Sequence, residues 1–300
     1  MPKYSYQRAV PGMYGDGSDD NLTFDGSSTI LGMAPSSSVY TLTKNVYAIK
    51  ITINSGVTIK TMGFILHASD ILNNAGTISS NGNDASGGTA GTIIIATGIL
   101  QCVGAAGGAG ISATGAGNTG TGSGGRNITG SSSGNGGRGD PGNLGGNGNN
   151  SAAPTASQGT IRNLANVLRA RLYDNTSMNG SGGGGGGGCQ LASGTATSGG
   201  GGGGAIPQII MARRLNNTGS ITANGGKGGN ATTTADASAG GGGGGGAGVN
   251  VICTEELISK GTIQANGGTG GSRSGGNSTN GSNGTNGFSL IFLPTTTLIL

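Results

Sequence analysis

Uninterrupted glycine runs constrain the fold of this chain more than any other feature. They occupy residues 182–188, 199–204 and 240–246, and 71 of the 300 residues are glycine, against a usual share of ~7 per cent. Glycine offers no side chain to bury, and fixing the backbone of each residue costs ~1–2 kcal/mol. Disorder would normally accompany a high net charge, but the charge here is only +4. We therefore expect contacts between the main chains of different glycine segments to order them.

Polyproline-II geometry explains how such segments can pair. With three residues per turn and a ~3.1 Å rise, this helix has no internal hydrogen bonds, so its N–H and C=O groups point outward. Because glycine lacks Cβ, neighbouring helices can approach until those groups bond to one another. The runs therefore predict a polyglycine-II bundle. Mixed tracts predict further helices at residues 104–110, 115–125, 134–148, 225–229 and 267–271.

Short apolar segments predict β-strands between the glycine tracts. Ile49, Ile51 and Ile53 alternate with polar residues, and Val57 and Ile59 continue the pattern after a turn. Alternation with a period of two buries one side of a strand. Strands this short, interrupted by frequent turns, favour a sheet wound into a coil.

A longer unit recurs along the chain. A Gly-Ser/Thr-Ile element surrounds Ile78, Ile221 and Ile263, and the last two isoleucines are 42 residues apart. A short apolar strand precedes each of the elements at Ile221 and Ile263. Residues 91–100 contain a similar apolar strand and form a third, less regular copy of the unit. Repeats of this length indicate stacked units, because one unit cannot bury its apolar face alone.

The predicted fold is mainly β with irregular structure. It combines coiled, solenoid-like short strands, a polyglycine-II bundle and one short α-helix near residues 160–173. Apolar residues spaced by three, four and four positions, Ile161, Leu164, Leu168 and Leu172, predict that helix. It either covers an end or flank of the glycine-rich body or docks a partner. The predicted divisions are an extended attachment arm (1–35), a coiled β region (36–100) and a polyglycine-II body with interleaved strands and the helix (101–300).

Several protein classes are excluded by composition. Collagen needs glycine at every third position and abundant proline, whereas this chain has seven prolines. No apolar run approaches ~18 residues and no signal-peptide pattern is present, so we expect neither membrane insertion nor classical secretion. Cys102, Cys189 and Cys253 are far apart and predict reduced thiols. Nucleic-acid binding would require a denser basic stripe with aromatic residues.

Catalytic motifs are not evident. His67, the only histidine, lies in a strand pattern and is interpreted as structural. Asp16, Asp19 and Asp20 lie in a glycine-serine turn without the spacing of an EF-hand, and calcium coordination is their minor alternative. We expect no enzymatic activity, no cofactor and no metal ion.

The sequence at residues 15–26, 40–47, 51–59 and 72–82 resembles glycine-rich structural proteins of tailed bacteriophages, which are tail or head-fibre components. The glycine runs with intervening polar segments are also similar to the adhesins that cap T-even-like long tail fibres. In those adhesins, glycine tracts form a polyglycine-II sandwich and the loops contact the host surface. The resemblance implies a virion protein that is assembled in the host cytoplasm and mediates attachment to the host.

This interpretation assigns candidate contacts. We expect Tyr4, Tyr6 and Arg8 to contact other virion proteins, and a host glycan or outer-membrane protein to meet the polar segments at residues 189–198, 230–239 and 272–285, interpreted as loop tips. The candidate host-contact residues are Cys189, Gln190, Thr195, Asn230, Thr233, Asp236, Ser272 and Asn277.

Two other functions remain open. One is a capsid or tail decoration protein that touches only virion proteins, and the other is a glycan-degrading tailspike. Exposed strand edges and lattice faces need cover, which favours a homo-oligomer such as a trimer.

Overall fold

The structure is a computed structural model that describes residues 13–97, 103–104, 106–110, 112–114, 119–120, 130–131, 136, 179–180, 188–190, 195–234, 237–276 and 278–293. The regular secondary structure of these ranges is β-strand, and they contain no helix. The prediction of a mainly β fold is confirmed. The predicted helix near 160–173, the arm residues Tyr4, Tyr6 and Arg8, and residues 182–187 of the first glycine run lie outside the described residues.

The described ranges contain 22 strands, most of them short. They are β1 (Asn21–Phe24), β2 (Val39–Thr41), β3 (Val46–Ile53), β4 (Thr58–Lys60), β5 (Leu66–Asn74), β6 (Thr77–Ser79), β7 (Ile94–Ile95), β8 (Val103–Gly104), β9 (Ser112–Thr114), β10 (Thr119–Gly120), β11 (Gly130–Ser131), β12 (Asn179–Gly180), β13 (Gly188–Gln190), β14 (Thr195–Thr197), β15 (Gln208–Asn217), β16 (Ser220–Thr222), β17 (Thr232–Thr233), β18 (Ala237–Ala239), β19 (Val249–Cys253), β20 (Glu256–Ser259), β21 (Thr262–Gln264) and β22 (Phe288–Phe292).

Two parallel sheets contain most of the longer strands. The seven-stranded sheet has the order β1-β3-β5-β15-β19-β22, with β20 also beside β15, and the five-stranded sheet has the order β2-β4-β6-β16-β21. The chain alternates between them: β4, β6, β16 and β21 of the smaller sheet each follow a strand of the larger sheet after a short turn, whereas β2 follows β1 after a longer connection, residues 25–38. Parallel strands buried on one or both faces are rich in isoleucine, leucine and valine, as these are.

The main core lies between the two sheets. Phe24, Ile51 and Leu72 of the larger sheet and Ile59 and Ile78 of the smaller sheet are all buried in one cluster. The isoleucines of the Gly-Ser/Thr-Ile elements form a row, because Ile78 pairs with Ile221 and Ile221 pairs with Ile263 in register. The sequence repeat therefore corresponds to neighbouring positions in one sheet.

Residues far apart in sequence are neighbours in both sheets. Strand β5 pairs with β15, although the side chains that join them, Asn74 and Asn217, are 143 residues apart. Both sheets thus contain strands from before and from after residue 100. Residues 13–35 also pack on this body, since Tyr14, Leu22 and Phe24 are buried.

The glycine segments form hydrogen bonds with several neighbours at once. Successive residues of the 199–205 segment donate to different segments, and every third donor returns to the same one. The bonds to the 240–246 segment are Gly199 N to Gly240 O, Gly202 N to Gly243 O and Ala205 N to Gly246 O, at 3.0, 2.9 and 3.1 Å. Between these donors, Gly200 and Gly203 donate to Gly87 O and Asn83 O, and Gly201 donates to Gly108 O.

Close backbone approach explains why these positions are glycine. A Cβ atom on Gly242 would overlap the carbonyl of Gly200, and one on Gly245 would overlap the carbonyl of Gly203. Both overlaps are with main-chain atoms, which cannot move aside as a flexible side chain could. These segments therefore pack at a separation that only glycine permits.

Alkaline pH is expected to destabilise the fold through Cys253 and Tyr14. Burial raises the pKa of the Cys253 thiol from its ordinary 9.0 to about 11, and burial, with Glu255 as the next cause, raises the pKa of Tyr14 from 10.0 to about 12. A raised folded-state pKa gives stability that is fully present below the unfolded pKa and is lost as pH rises through the folded pKa. The free energy of unfolding from urea titrations should therefore fall from about pH 9 upward.

Variants separate the two groups. Cys253→Ala should flatten the decline between pH 9 and 11, and Tyr14→Phe should flatten it between pH 10 and 12. An unchanged slope in both variants would contradict this assignment of the alkaline loss.

Candidate contact face

Residues 278–287 form an outer segment that packs on the glycine segments. Its sequence, Asn280-Gly-Ser-Asn-Gly-Thr-Asn-Gly287, repeats an Asn-Gly-x triplet. The glycines face inward: Gly281 N donates to Gly271 O, Gly284 N to Gly268 O and Gly287 N to Ala265 O, at 3.0, 2.9 and 2.9 Å. The Asn side chains are consequently placed along its outer, exposed side.

The asparagines of this segment cap main-chain donors of the neighbouring one. The Oδ1 atoms of Asn280, Asn283 and Asn286 accept the backbone N–H groups of Arg273, Gly270 and Gly267, at 2.9, 2.9 and 2.8 Å. A backbone N–H can only donate, so the carbonyl end of each amide must face it. Each amide NH₂ therefore lies on the side away from that bond.

Two further segments use the same device. Asn81 Oδ1 accepts Asn224 N, and Asp84 Oδ1 accepts Lys227 N, both at 2.7 Å. One segment further, Asn224 Oδ1 accepts Asn266 N, and Asn230 Oδ1 accepts Ser272 N, both at 2.8 Å. We call the polar side chains at every third residue of these four segments (81–84, 224–230, 266–272 and 280–286) the contact face; most of them are exposed.

A groove lies on this face between the inner three segments. It has a volume of about 440 Å³, and its side chains include those of Asp84, Ser86, Lys227, Asn230, Thr232 and Thr269. Glycine backbone forms most of the remaining lining. Hydroxyl, amide and charged groups on a fixed backbone suit a polar ligand better than an apolar one.

The structure brings some of the predicted host-contact residues together. Asn230 bonds to the backbone of Ser272, and the Oγ1 of Thr233 lies 2.8 Å from the Oγ of Ser274. Thr195 lies one position from the Ala196–Thr233 pair, and its backbone N–H donates to Thr234 Oγ1 at 2.8 Å. Cys189 and Gln190 belong to β13, which pairs with β10 and β18. Asp236 and Asn277 lie outside the described residues.

The three polar segments that were interpreted as loop tips differ in structure. The first two contain strand pairs, since β13 joins β18 and β14 joins β17. In the third, residues 278–285 are not a loop tip, because they pack on the glycine segments. Asn280 and Asn283 lie within the predicted segment 272–285 but were not among the individual candidates, and Asn286 lies just outside it; the Asn-Gly-x spacing indicated that the three side chains share one side of the segment.

Residues with catalytic potential have structural partners. His67 is buried in β5 and stacks on Tyr47 with ring centroids 4.6 Å apart, and burial lowers its pKa. Asp19 accepts the backbone N–H of Tyr47 at 2.8 Å. Across the ranges that the structure describes, no group of three or more His, Cys, Asp or Glu residues could hold a metal ion.

A charged cluster on the larger sheet is internally paired. A cavity of about 370 Å³ is lined by Asp70, Arg213, Arg214, Glu255 and Glu256. The Nη2 of Arg214 lies 2.6 Å from Asp70 Oδ1, and the Nε of Arg213 lies 3.7 Å from Glu255 Oε2. Two arginines thus face three carboxylates, and only Glu256 lies outside these two ion pairs.

Comparisons with known proteins give no relative: no family model matches the chain, and neither a curated protein nor a solved structure is significantly similar to it. Nothing in the described part of the chain is a helix long and apolar enough to cross a membrane.

Proposed function

We propose that this chain is a non-enzymatic structural protein of a tailed-bacteriophage virion, a fibre or adhesin-type component that attaches the particle to the host surface. The observation that carries the proposal is the contact face, in which polar side chains stand at every third residue on hydrogen-bonded glycine segments. Such a surface is suited to binding a ligand through polar groups in fixed positions rather than to catalysis.

The proposed body is a polyglycine-II bundle joined to a β-solenoid. The three-residue alternation of bonding partners in the 199–205 segment supports polyglycine-II geometry, because that helix turns once per three residues. The alternation of the chain between two parallel sheets supports a solenoid.

The rigid scaffold favours binding because it lowers the entropy lost on contact with a partner. Side chains that are already bonded to a neighbouring backbone lose little conformational freedom on contact with a partner. A host-surface glycan or an outer-membrane protein is the proposed partner, and other virion proteins hold the chain on the particle. The proposed location is the virion.

A decoration protein is the second candidate. The edge strand β22 has no charged residue, and Leu293, which follows it, is 51% exposed. Such an edge suits packing on another virion protein or on a second copy of the chain.

Adsorption measurements test the proposal. The purified chain is expected to bind susceptible bacterial cells saturably and to compete with particles for adsorption, because it carries the attachment surface. Heat-unfolded chain is the control and should do neither.

Other outcomes favour the rival functions. Particles lacking the chain that adsorb normally but lose heat resistance would favour decoration. Hydrolysis of host polysaccharide by the purified chain would favour a tailspike enzyme.

A further inference from the structure

The outer edge of the contact face presents amide donors in a fixed direction. The Oδ1 atoms of Asn280, Asn283 and Asn286 are occupied by backbone N–H groups. Each residue is exposed, so the NH₂ group is the part of the amide left for solvent or a ligand. In polyglycine-II geometry, successive amides stand about 9 Å apart along the segment. The edge is therefore a regular row of hydrogen-bond donors.

The part of the chain that carries this row has positive charge only. The sequence contains no Asp or Glu after Glu256, whereas Lys260 and Arg273 both follow it. Arg273 Nη1 donates to Gly276 O and Ser278 O at 3.2 and 2.7 Å, which fixes the guanidinium beside the row. Neither Lys260 nor Arg273 forms a salt bridge with a described residue. A ligand that approaches this edge meets the amide donors and the Arg273 guanidinium, whereas the carboxylate of the contact face, that of Asp84, lies on the segment at its opposite side and caps Lys227 N.

We infer that the row of Asn280, Asn283 and Asn286, together with Arg273, binds an anionic cell-surface polymer whose repeating units carry carboxylate or phosphodiester groups. Carboxylate and phosphodiester groups are acceptors, so they complement both the NH₂ groups and the guanidinium. A polymer with regularly repeated anions can engage several positions of the row at once, which multiplies weak single contacts. This inference rests on the proposed attachment function and names the class of host-surface ligand.

Isosteric substitution tests the donors without removing the bonds that hold the segment. In Asn283→Asp/Asn286→Asp, each carboxylate still accepts the N–H of Gly270 or Gly267, but the NH₂ donor becomes a negative oxygen. The matched control is Asn21→Asp/Asn54→Asp, which adds the same charge at two exposed positions of the β region. Thermal unfolding of both variants checks that they fold.

Binding of the full-length protein is measured by titration calorimetry at low salt. The probes are polygalacturonate for carboxylates, poly(glycerol phosphate) for phosphodiesters, dextran as the neutral polymer and inorganic phosphate as the free anion. Wild type should bind at least one anionic polymer, and the Asn283/Asn286 variant should bind it at least tenfold more weakly, while the control variant stays within about twofold. Ser282→Lys, which adds a cation at an exposed position between Asn280 and Asn283, should bind more tightly.

Several results would overturn the inference. The first is that the two double variants bind the anionic polymer with equal affinity. The second is that wild type binds dextran as tightly as the anionic polymers, and the third is that it binds inorganic phosphate but neither anionic polymer. Cell adsorption separates this inference from the proposed function. If the wild-type protein and the Asn283/Asn286 variant adsorb to cells equally well, only the anionic-ligand inference is wrong. If the wild-type protein does not adsorb at all, the attachment function on which the inference rests is wrong.

Discussion

Gly242→Ala should unfold at a much lower denaturant concentration than the wild-type protein. Gly242 N donates to Gly229 O, and its own carbonyl accepts Gly271 N, so three segments meet at this residue. A methyl group there would overlap the carbonyl of Gly200 on a further segment. Because every neighbour is main chain held by its own hydrogen bonds, the added volume must push segments apart. We expect a loss of about 3 kcal/mol or more in the free energy of unfolding, at or above the upper end of the usual cost of overpacking.

A second glycine gives the control for this effect. Gly87 lies at φ +52°, no atom lies within 4 Å of the point where a Cβ would stand, and asparagine tolerates that left-handed conformation. Gly87→Asn should therefore change the free energy of unfolding by less than about 1 kcal/mol. Urea titration followed by circular dichroism measures both variants. Similar stabilities for Gly242→Ala and wild type would contradict the close packing of these segments.

The sequence predicts those parts of the fold that repeat locally. The elements at Ile221 and Ile263 share their pattern of glycine, hydroxyl residue and isoleucine, and they pair in register. Contacts among the glycine runs were also predictable, since a run without side chains leaves its backbone groups open to neighbouring main chains at close approach. The first prediction rests on the repeat of the sequence pattern, and the second rests on the absence of side chains in the glycine runs.

The order of strands in the larger sheet was not predictable. Strand β15 lies between β5 and β19, but the chain passes through more than a hundred residues between β5 and β15. No local preference encodes which distant strand becomes a neighbour, because parallel partners need not be adjacent in sequence.

The contact face was predictable only in part. Asn230 and Ser272 were both candidates, and their separation of 42 residues equals the repeat, which places them on adjacent segments. Residues 278–285 were interpreted as a loop because asparagine, serine and threonine are typical of turns. The direction of each side-chain amide depends on which backbone N–H it caps. The packing of the segments determines that partner, so the sequence alone does not predict it.

Asn217→Ala is expected to cause the second large loss of stability. Asn217 is fully buried at the end of β15 and joins three strand ends. Its Oδ1 accepts Asn74 Nδ2 at 2.7 Å, and its Nδ2 donates to Lys260 O at 2.5 Å. Alanine would leave the Lys260 carbonyl without this donor and would remove one of two acceptors of the Asn74 amide, whose other acceptor is Ser220 O. The buried Asn74 amide thus loses one partner and the part-buried Lys260 carbonyl loses this donor; such losses cost ~1–3 kcal/mol each, so we expect a total loss of about 3 kcal/mol.

The neighbouring residue offers a matched control with the same side chain. Asn216 Nδ2 donates to Asn73 Oδ1 at 3.2 Å, but both residues are only half-buried, so water can replace the lost partner. Asn216→Ala should therefore cost less than about 1 kcal/mol. Urea titration of the two variants under the same conditions gives the comparison. We expect a difference of about 2 kcal/mol between the two variants, because the buried amide pair stabilises the contact between strands whose residues are 143 positions apart. Equal losses would instead mean that burial of the Asn74–Asn217 pair does not determine the loss of stability.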